Sequence, residues 1–298
     1  MTAKKIDLAA PYRWLGEAFG LCRAHPRVLF GAGCLLTLVA LLPSLLQMLI
    51  EAALQPSLPT RLVLQALFLV IGLVLLPPVS GGFYRLLHAL HEGRPAMATD
   101  VFAVFRDSDA ARRLIITNLF FVLLAVTLVV GLALAFGGAA LFEYFRAMAA
   151  LQPGATQLPA LPPGLFWLIS LLVILALVIT TGQQLAAAQS ALSTRAPLAA
   201  AGDGLRVALR NIGAWLLFYL PLGLLGFIAM VIVVLVVGLV FTLMSAISPM
   251  LAGVLLVPVF VLLMLVMYAL MFAFYYLAWR ETLGGEATPA PSGHQIAA

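Results

Sequence analysis

The chain is predicted to be all-α: a polytopic membrane protein with six transmembrane helices, arranged as three repeats of an interfacial amphipathic helix plus a helical hairpin. Three observations predict this. Of 298 residues, 64% are hydrophobic and only 9% are charged, against about 25% charged in a soluble domain. The apolar runs reach the roughly 20 residues that a helix needs to cross a bilayer, and they are apolar all round, without the alternation of a transmembrane strand. Most charges fall into three belts, Lys4–Arg27, Arg85–Arg113 and Arg195–Arg210, each just ahead of a pair of apolar runs.

The first belt predicts an amphipathic helix with Trp14, Leu15, Ala18, Phe19 and Cys22 on one face. His25–Pro26 ends it, because a residue before proline disfavours helix. The first span follows over residues 28–50. A turn with Pro56 and Pro59 leads to the second span, residues 62–90. In the second belt Thr99 is expected as N-cap, with Val101, Phe102 and Phe105 as the apolar face. The third span is expected over residues 114–142. An outer segment joins it to the fourth span, residues 165–192. Its first part, Phe142–Leu151, is read as an interfacial helix, and its second as a strap with Pro153, Pro159, Pro162 and Pro163. In the third belt Leu198, Ala201, Leu205, Ala208 and Leu209 form the stripe, with Asp203, Arg206 and Arg210 opposite. The uncharged stretch Asn211–Trp279 holds two spans, residues 212–243 and 254–279, divided near Ser245–Pro249. Residues 1–280 form one domain, and the Gly-, Pro- and Ala-rich tail 281–298 is expected to be disordered.

Topology follows from the basic residues. With six spans, fourteen Lys and Arg fall on one side and two, Arg61 and Arg146, on the other. Both termini are therefore expected in the cytoplasm. Arg13, Arg106, Arg112, Arg113, Arg206 and Arg210 are the candidate contacts to inner-leaflet headgroups. Nucleic acid is not expected as a partner, because no basic stripe is interleaved with aromatics. Membrane lipids, and membrane proteins as possible partners, are. The oligomeric state is not legible.

No Asp, Glu, Lys or Arg lies mid-span, which argues against ion- or proton-coupled pumping. Two places stand out instead. Pro77–Pro78 with Gly81 and Gly82 is the strongest backbone irregularity, and discontinuous helices mark many transporter sites. Thr180, Thr181, Gln183 and Gln184 form the most polar cluster inside a span, either a lining for a substrate headgroup or interhelical glue. Gln65 and Asn118 lie nearer span ends and are read as interfacial. His88, His91 and Glu92 are too few to promise a metal. Cys22 and Cys34 are not expected to form a structural disulfide. No catalytic or cofactor-binding motif is present, so neither an enzyme nor a cofactor is expected.

The run Tyr12-Arg13-Trp14-Leu15-Gly16-Glu17-Ala18-Phe19 through Pro26, the Pro77-Pro78-Val79-Ser80-Gly81-Gly82-Phe83 turn and the segment Phe102–Arg113 together resemble a family of uncharacterised proteobacterial six-span inner-membrane proteins. Their membrane domain is related to one fused to some glycerophosphodiester phosphodiesterases. The resemblance covers most of residues 10–280. It implies the bacterial cytoplasmic membrane and six helices, and it transfers no active site. No phosphodiesterase domain is present. The expected role is non-enzymatic: lipid or amphiphile handling, or scaffolding, at the cytoplasmic leaflet. The alternative is a transporter or flippase of a small amphiphile, which requires a cavity beside the fourth span.

Overall fold

The computed structural model describes residues 5–135, 138–150, 162, 164–245 and 249–284. Pro153, Pro159 and Pro163 of the expected strap, the interior of the expected break at Ala246–Ser248, and the tail from Gly285 lie outside the described residues. Every described element is helical: α1 (Ala10–Ala24), α2 (Pro26–Leu54), α3 (Leu58–His91), a 3-10 helix η1 (Ala98–Arg106), α4 (Ser108–Ala135), α5 (Gly138–Ala149), α6 (Leu165–Leu192), α7 (Pro197–Arg210), α8 (Ile212–Ser245) and α9 (Pro249–Thr282). Six of them, α2, α3, α4, α6, α8 and α9, are long and apolar enough to cross a membrane. This is the architecture of a multi-pass integral membrane protein.

Prolines punctuate these helices in the expected way. Pro11, Pro26 and Pro197 sit in the first turns of α1, α2 and α7, where the missing N–H has no helical partner to lose. Gln55 ends α2 in the left-handed conformation, φ 42°. Pro77 and Pro78 do not divide α3, which runs unbroken through both. The irregularity is therefore not a break in α3. Helix α4 ends at Ala135, seven residues short of the expected boundary, and α5 takes up the start of the outer segment.

Helices α3, α6 and α9 pack on one another, and α2, α4 and α8 each pair with the member of that trio that follows. The short elements sit at one end. η1 packs on α3, α7 on α6 and α1 on α9. They are embedded more deeply than helices lying in an interface. Gly82 of α3 abuts the backbone of Val101, and Gly204 of α7 abuts that of Gly182 on α6. Small residues allow such approach where lipid gives no hydrophobic drive between helices.

This embedding changes which faces are buried. Helix α1 buries Ala10, Trp14 and Ala18 but leaves Phe19 exposed. η1 buries Val101 and Val104 and exposes Phe105. Its N-cap is Met97, whose N–H donates to the Asp100 carboxylate at 2.7 Å; Thr99 lies inside the helix. In α7 the expected stripe is rotated. Leu198 and Leu209 are exposed, and Asp203 is buried and paired with Arg195 and Arg206 at 3.0 and 3.1 Å.

The packed core gathers at the same end. Residues Phe272–Trp279 of α9 are all buried. Phe83 stacks on Phe272 at 4.7 Å and Phe274 on Phe218 at 5.1 Å, while Trp14 meets Trp215 at 5.7 Å. Glu281 at the end of α9 accepts hydrogen bonds from Arg13 (2.6 Å) and Trp14 Nε1 (2.7 Å), which ties the two ends of the described chain together. Toward the opposite end the helices part, and much of α8, including Leu224, Leu225 and Phe227, is exposed.

Candidate functional site

Where the helices part, α2, α3, α4 and α6 enclose a cleft of about 500 Å³, open on one side. That lies within the roughly 300–1,000 Å³ of small-molecule sites. Its longest wall is one face of α3, read at helical spacing: Gln65, Leu69, Gly72, Leu76 and Ser80. Helix α2 contributes Ala40, Pro43, Ser44 and Gln47, α4 contributes Leu114, Thr117, Asn118 and Val122, and α6 contributes Gln183, Gln184 and Ala187. None of the lining residues is charged.

Polar groups collect at its two ends. At one end Gln183 Nε2 donates to Asn118 Oδ1 at 2.8 Å, and the Tyr84 hydroxyl donates to Gln184 Oε1 at 2.7 Å. These bonds fix the amides and leave the Gln184 and Asn118 amino groups and the Gln183 carbonyl without a partner among the described residues. Thr117, also here, is bonded to Ser190 across α4 and α6 at 3.0 Å. At the other end stand Ser44, Gln47 and Gln65, with Gln47 donating to Glu51 at 2.8 Å. Between the ends the wall is apolar, with Phe68, Leu69, Leu73 and Leu76. The two polar ends are fifteen residues apart on α3, about 22 Å at 1.5 Å per residue. Gln65 lies four residues inside Arg61 and Ser80 five inside Arg85. Each polar end therefore sits about 6–8 Å within the charged boundary on its side.

The end near Ser80 is closed from beneath. Arg85 on α3 donates from Nε to the Ala191 carbonyl at the end of α6 (2.9 Å) and from its terminal nitrogen to Asp107 (2.7 Å). Asp107 also accepts from the Ala110 N–H at 3.0 Å, capping the start of α4. Partial burial works against its ionisation, but the Arg85 bond, the Ala110 amide and the charges of Arg85 and Arg113 together hold the carboxyl below its ordinary value. That contribution is present above the unfolded value, about 3.9, and is lost as pH falls through the folded one. Asp107→Asn keeps the cap and removes the charge. It is expected to lower stability at pH 7 by less than about 1 kcal/mol, since the pair is half exposed. Thermal melting of both proteins should converge as the pH drops below about 3.9.

The structure sorts the residues singled out in the sequence. Pro77, Gln183 and Gln184 line the cleft. Pro78 is buried beside it. Gly81 and Gly82 are not in the lining: Gly81 packs against Leu114, which is, and Gly82 against the backbone of Val101. Thr180 is exposed and outside the lining of the cleft; Thr181 is the buried neighbour. Gln65 and Asn118, read as interfacial, belong to the cleft, as do Gln47 and Ser80, which were not singled out. Polar residues on separate spans, recurring at helical spacing with apolar ones between, were the signal available for them.

The six candidate headgroup contacts are placed differently from one another. Arg13 pairs with Glu281 and Glu17, Arg112 with Asp109 at 3.5 Å, and Arg206 with Asp203. Arg106 and Arg210 are exposed, and Arg113 is half buried beside Asp107, its Nε without a hydrogen bond. His88 bonds the Tyr276 hydroxyl and the Glu92 carboxylate, both at 3.1 Å, and no metal-binding group of three or more His, Cys, Asp or Glu occurs among the described residues. Cys22 and Cys34 are free. Comparison of the chain with models of known families, with curated proteins and with solved structures gives no match.

Proposed function

We propose that the protein binds a lipid or similar amphiphile in the cleft between α2, α3, α4 and α6, as a non-enzymatic component of a bacterial cytoplasmic membrane with both termini inside. The observation that carries this reading is the pattern of the lining: amides and hydroxyls at the ends, an apolar wall between. An alkyl chain fits the wall and a polar head fits an end. The fourteen-to-two split of basic residues supports the orientation, and the resemblance to six-span inner-membrane proteins supports the compartment. The ion pairs of Arg13, Arg112 and Arg206 favour a structural part for those cations over scaffolding of partners.

The three-repeat organisation belongs to the same proposal. It is supported by the contacts of α1, η1 and α7, each of which lies on the inner helix of the preceding unit, with α1 closing the series on α9. It is supported too by Gly82 and Gly182, nine and ten residues before the ends of α3 and α6, which each make the close approach to the following short element.

The test is photolabelling. The full chain is reconstituted in liposomes with an amphiphile carrying a photoactivatable group on its alkyl chain, and labelled residues are mapped. Label is expected on Leu69, Leu73, Leu76 and Val122 well above the level on exposed Leu224 and Phe227 of α8. Equal labelling of α8 would mean that the cleft is ordinary lipid-facing surface.

A second reading, transfer of the amphiphile between leaflets, is favoured by one observation. The cleft has a polar end near each charged boundary, not one alone. Proteoliposomes should then move a fluorescent lipid between leaflets faster than empty vesicles, and an unchanged rate removes this reading while leaving binding intact.

A further inference from the structure

We propose that the head of the bound amphiphile is uncharged and bears hydroxyl groups, a neutral polyol and not a phosphate ester; this rests on the amphiphile reading above. The cleft offers both kinds of hydrogen-bonding partner. The Gln184 and Asn118 amino groups are donors, the Gln183 carbonyl is an acceptor, and the Ser80 hydroxyl is either. At the other end the Gln47 carbonyl and the Gln65 and Ser44 side chains repeat the mixture.

A hydroxyl both donates and accepts, so a diol or sugar satisfies such a lining group by group. An ionised phosphate mainly accepts. It would face the Gln183 oxygen at one end, or the Gln47 oxygen at the other, with little to give it. It would also bring a full charge to a wall with no cation on it, which inside a membrane is costly unless paired. The nearest cations do not supply that pair. Arg85 is committed to Ala191 and Asp107 beneath the cleft, and Arg113 stands beside the same Asp107. Neither lines the cleft, nor does Arg61 at the other end, which pairs with Glu51 at 3.4 Å.

The experiment is competition for the photolabel. The full chain in mixed micelles is labelled with a photoactivatable 1-monoacylglycerol, and three competitors of equal chain length are added: unlabelled monoacylglycerol, an alkyl glucoside and lysophosphatidic acid. At least one neutral competitor should displace the label at a mole fraction ten or more times lower than lysophosphatidic acid. Which neutral one does so distinguishes a glycerol from a sugar head. Displacement by lysophosphatidic acid as good as, or better than, that by both neutral lipids overturns the proposal and leaves amphiphile binding standing. Failure of the probe to label the cleft above α8, when an anionic probe also fails, overturns both.

Two variants locate the preference. Gln183→Leu removes an acceptor at the inner end but leaves Asn118 without its partner, so Gln65→Leu, at an exposed position in the cleft, accompanies it. The neutral preference should shrink at least threefold in one or the other. A preference unchanged in both folded variants, or unchanged in Gln65→Leu with Gln183→Leu unfolded, overturns the assignment of these amides.

Discussion

Gly82→Val is expected to destabilise the protein strongly, by about 3 kcal/mol. A Cβ at Gly82 would overlap the carbonyl of Val101, and the overlapping atoms are backbone, not the flexible end of a side chain. Either η1 must move off α3 or α3 must bend. η1 also packs on α2 and touches α4, so the displacement would spread to three spans. The effect should appear as a large fall in melting temperature in detergent. The contrast within the same helix is Gly72, where an added Cβ meets nothing within 4 Å. Gly72→Ala should be neutral or stabilising by up to about 1 kcal/mol, since glycine is a poor helix former. Equal behaviour of the two substitutions would contradict the placement of η1.

Gly72→Phe is expected to abolish amphiphile binding while leaving the fold intact. Gly72 lies midway along the cleft wall, between Leu69 and Leu76, with open space where its side chain would be. A phenyl ring there fills the apolar passage between the two polar ends. It neither removes a polar group nor strains the packed core at Phe272–Trp279. Loss of labelling by a photoactivatable amphiphile, with a melting temperature within a few degrees of the parent, is the predicted pair of results. Gly72→Ala, too small to block the passage, should keep most of the binding.

The membrane class and the number of spans were legible in the sequence because both rest on long-range composition. A charge-free run such as Leu165–Thr194 has few structural alternatives. The short belts were legible as helices but not in orientation. Their expected apolar stripes assumed one wet face and one lipid face. In the structure small residues decide instead: Ala200, Ala201, Gly204 and Ala208 turn inward because they permit contact with α6, and Leu198 and Leu209 turn outward. Asp203 follows the small residues inward because Arg195 and Arg206 accompany it. Pro77–Pro78 was legible as an irregularity but not as part of an unbroken helix, since the neighbours packed on α3 there come from other parts of the chain.

The candidate cleft was half visible. Gln183 and Gln184 drew notice because amides are conspicuous inside a span. Thr180 belongs to the same polar cluster in the sequence, but the inward face of α6 runs through Thr181, Gln184 and Ala188. Gln47, Gln65 and Asn118 sit on three further helices, and only the packing of α2, α3 and α4 brings them to one cavity.

The central claim is that this cleft holds one amphiphile per chain. Native mass spectrometry of the full chain, released from mild detergent with its lipids retained, measures this directly. The wild-type protein is predicted to carry one tightly held adduct of lipid mass that Gly72→Phe lacks, both proteins being equally folded. Identical adducts on the two, or none on the wild type, would contradict it.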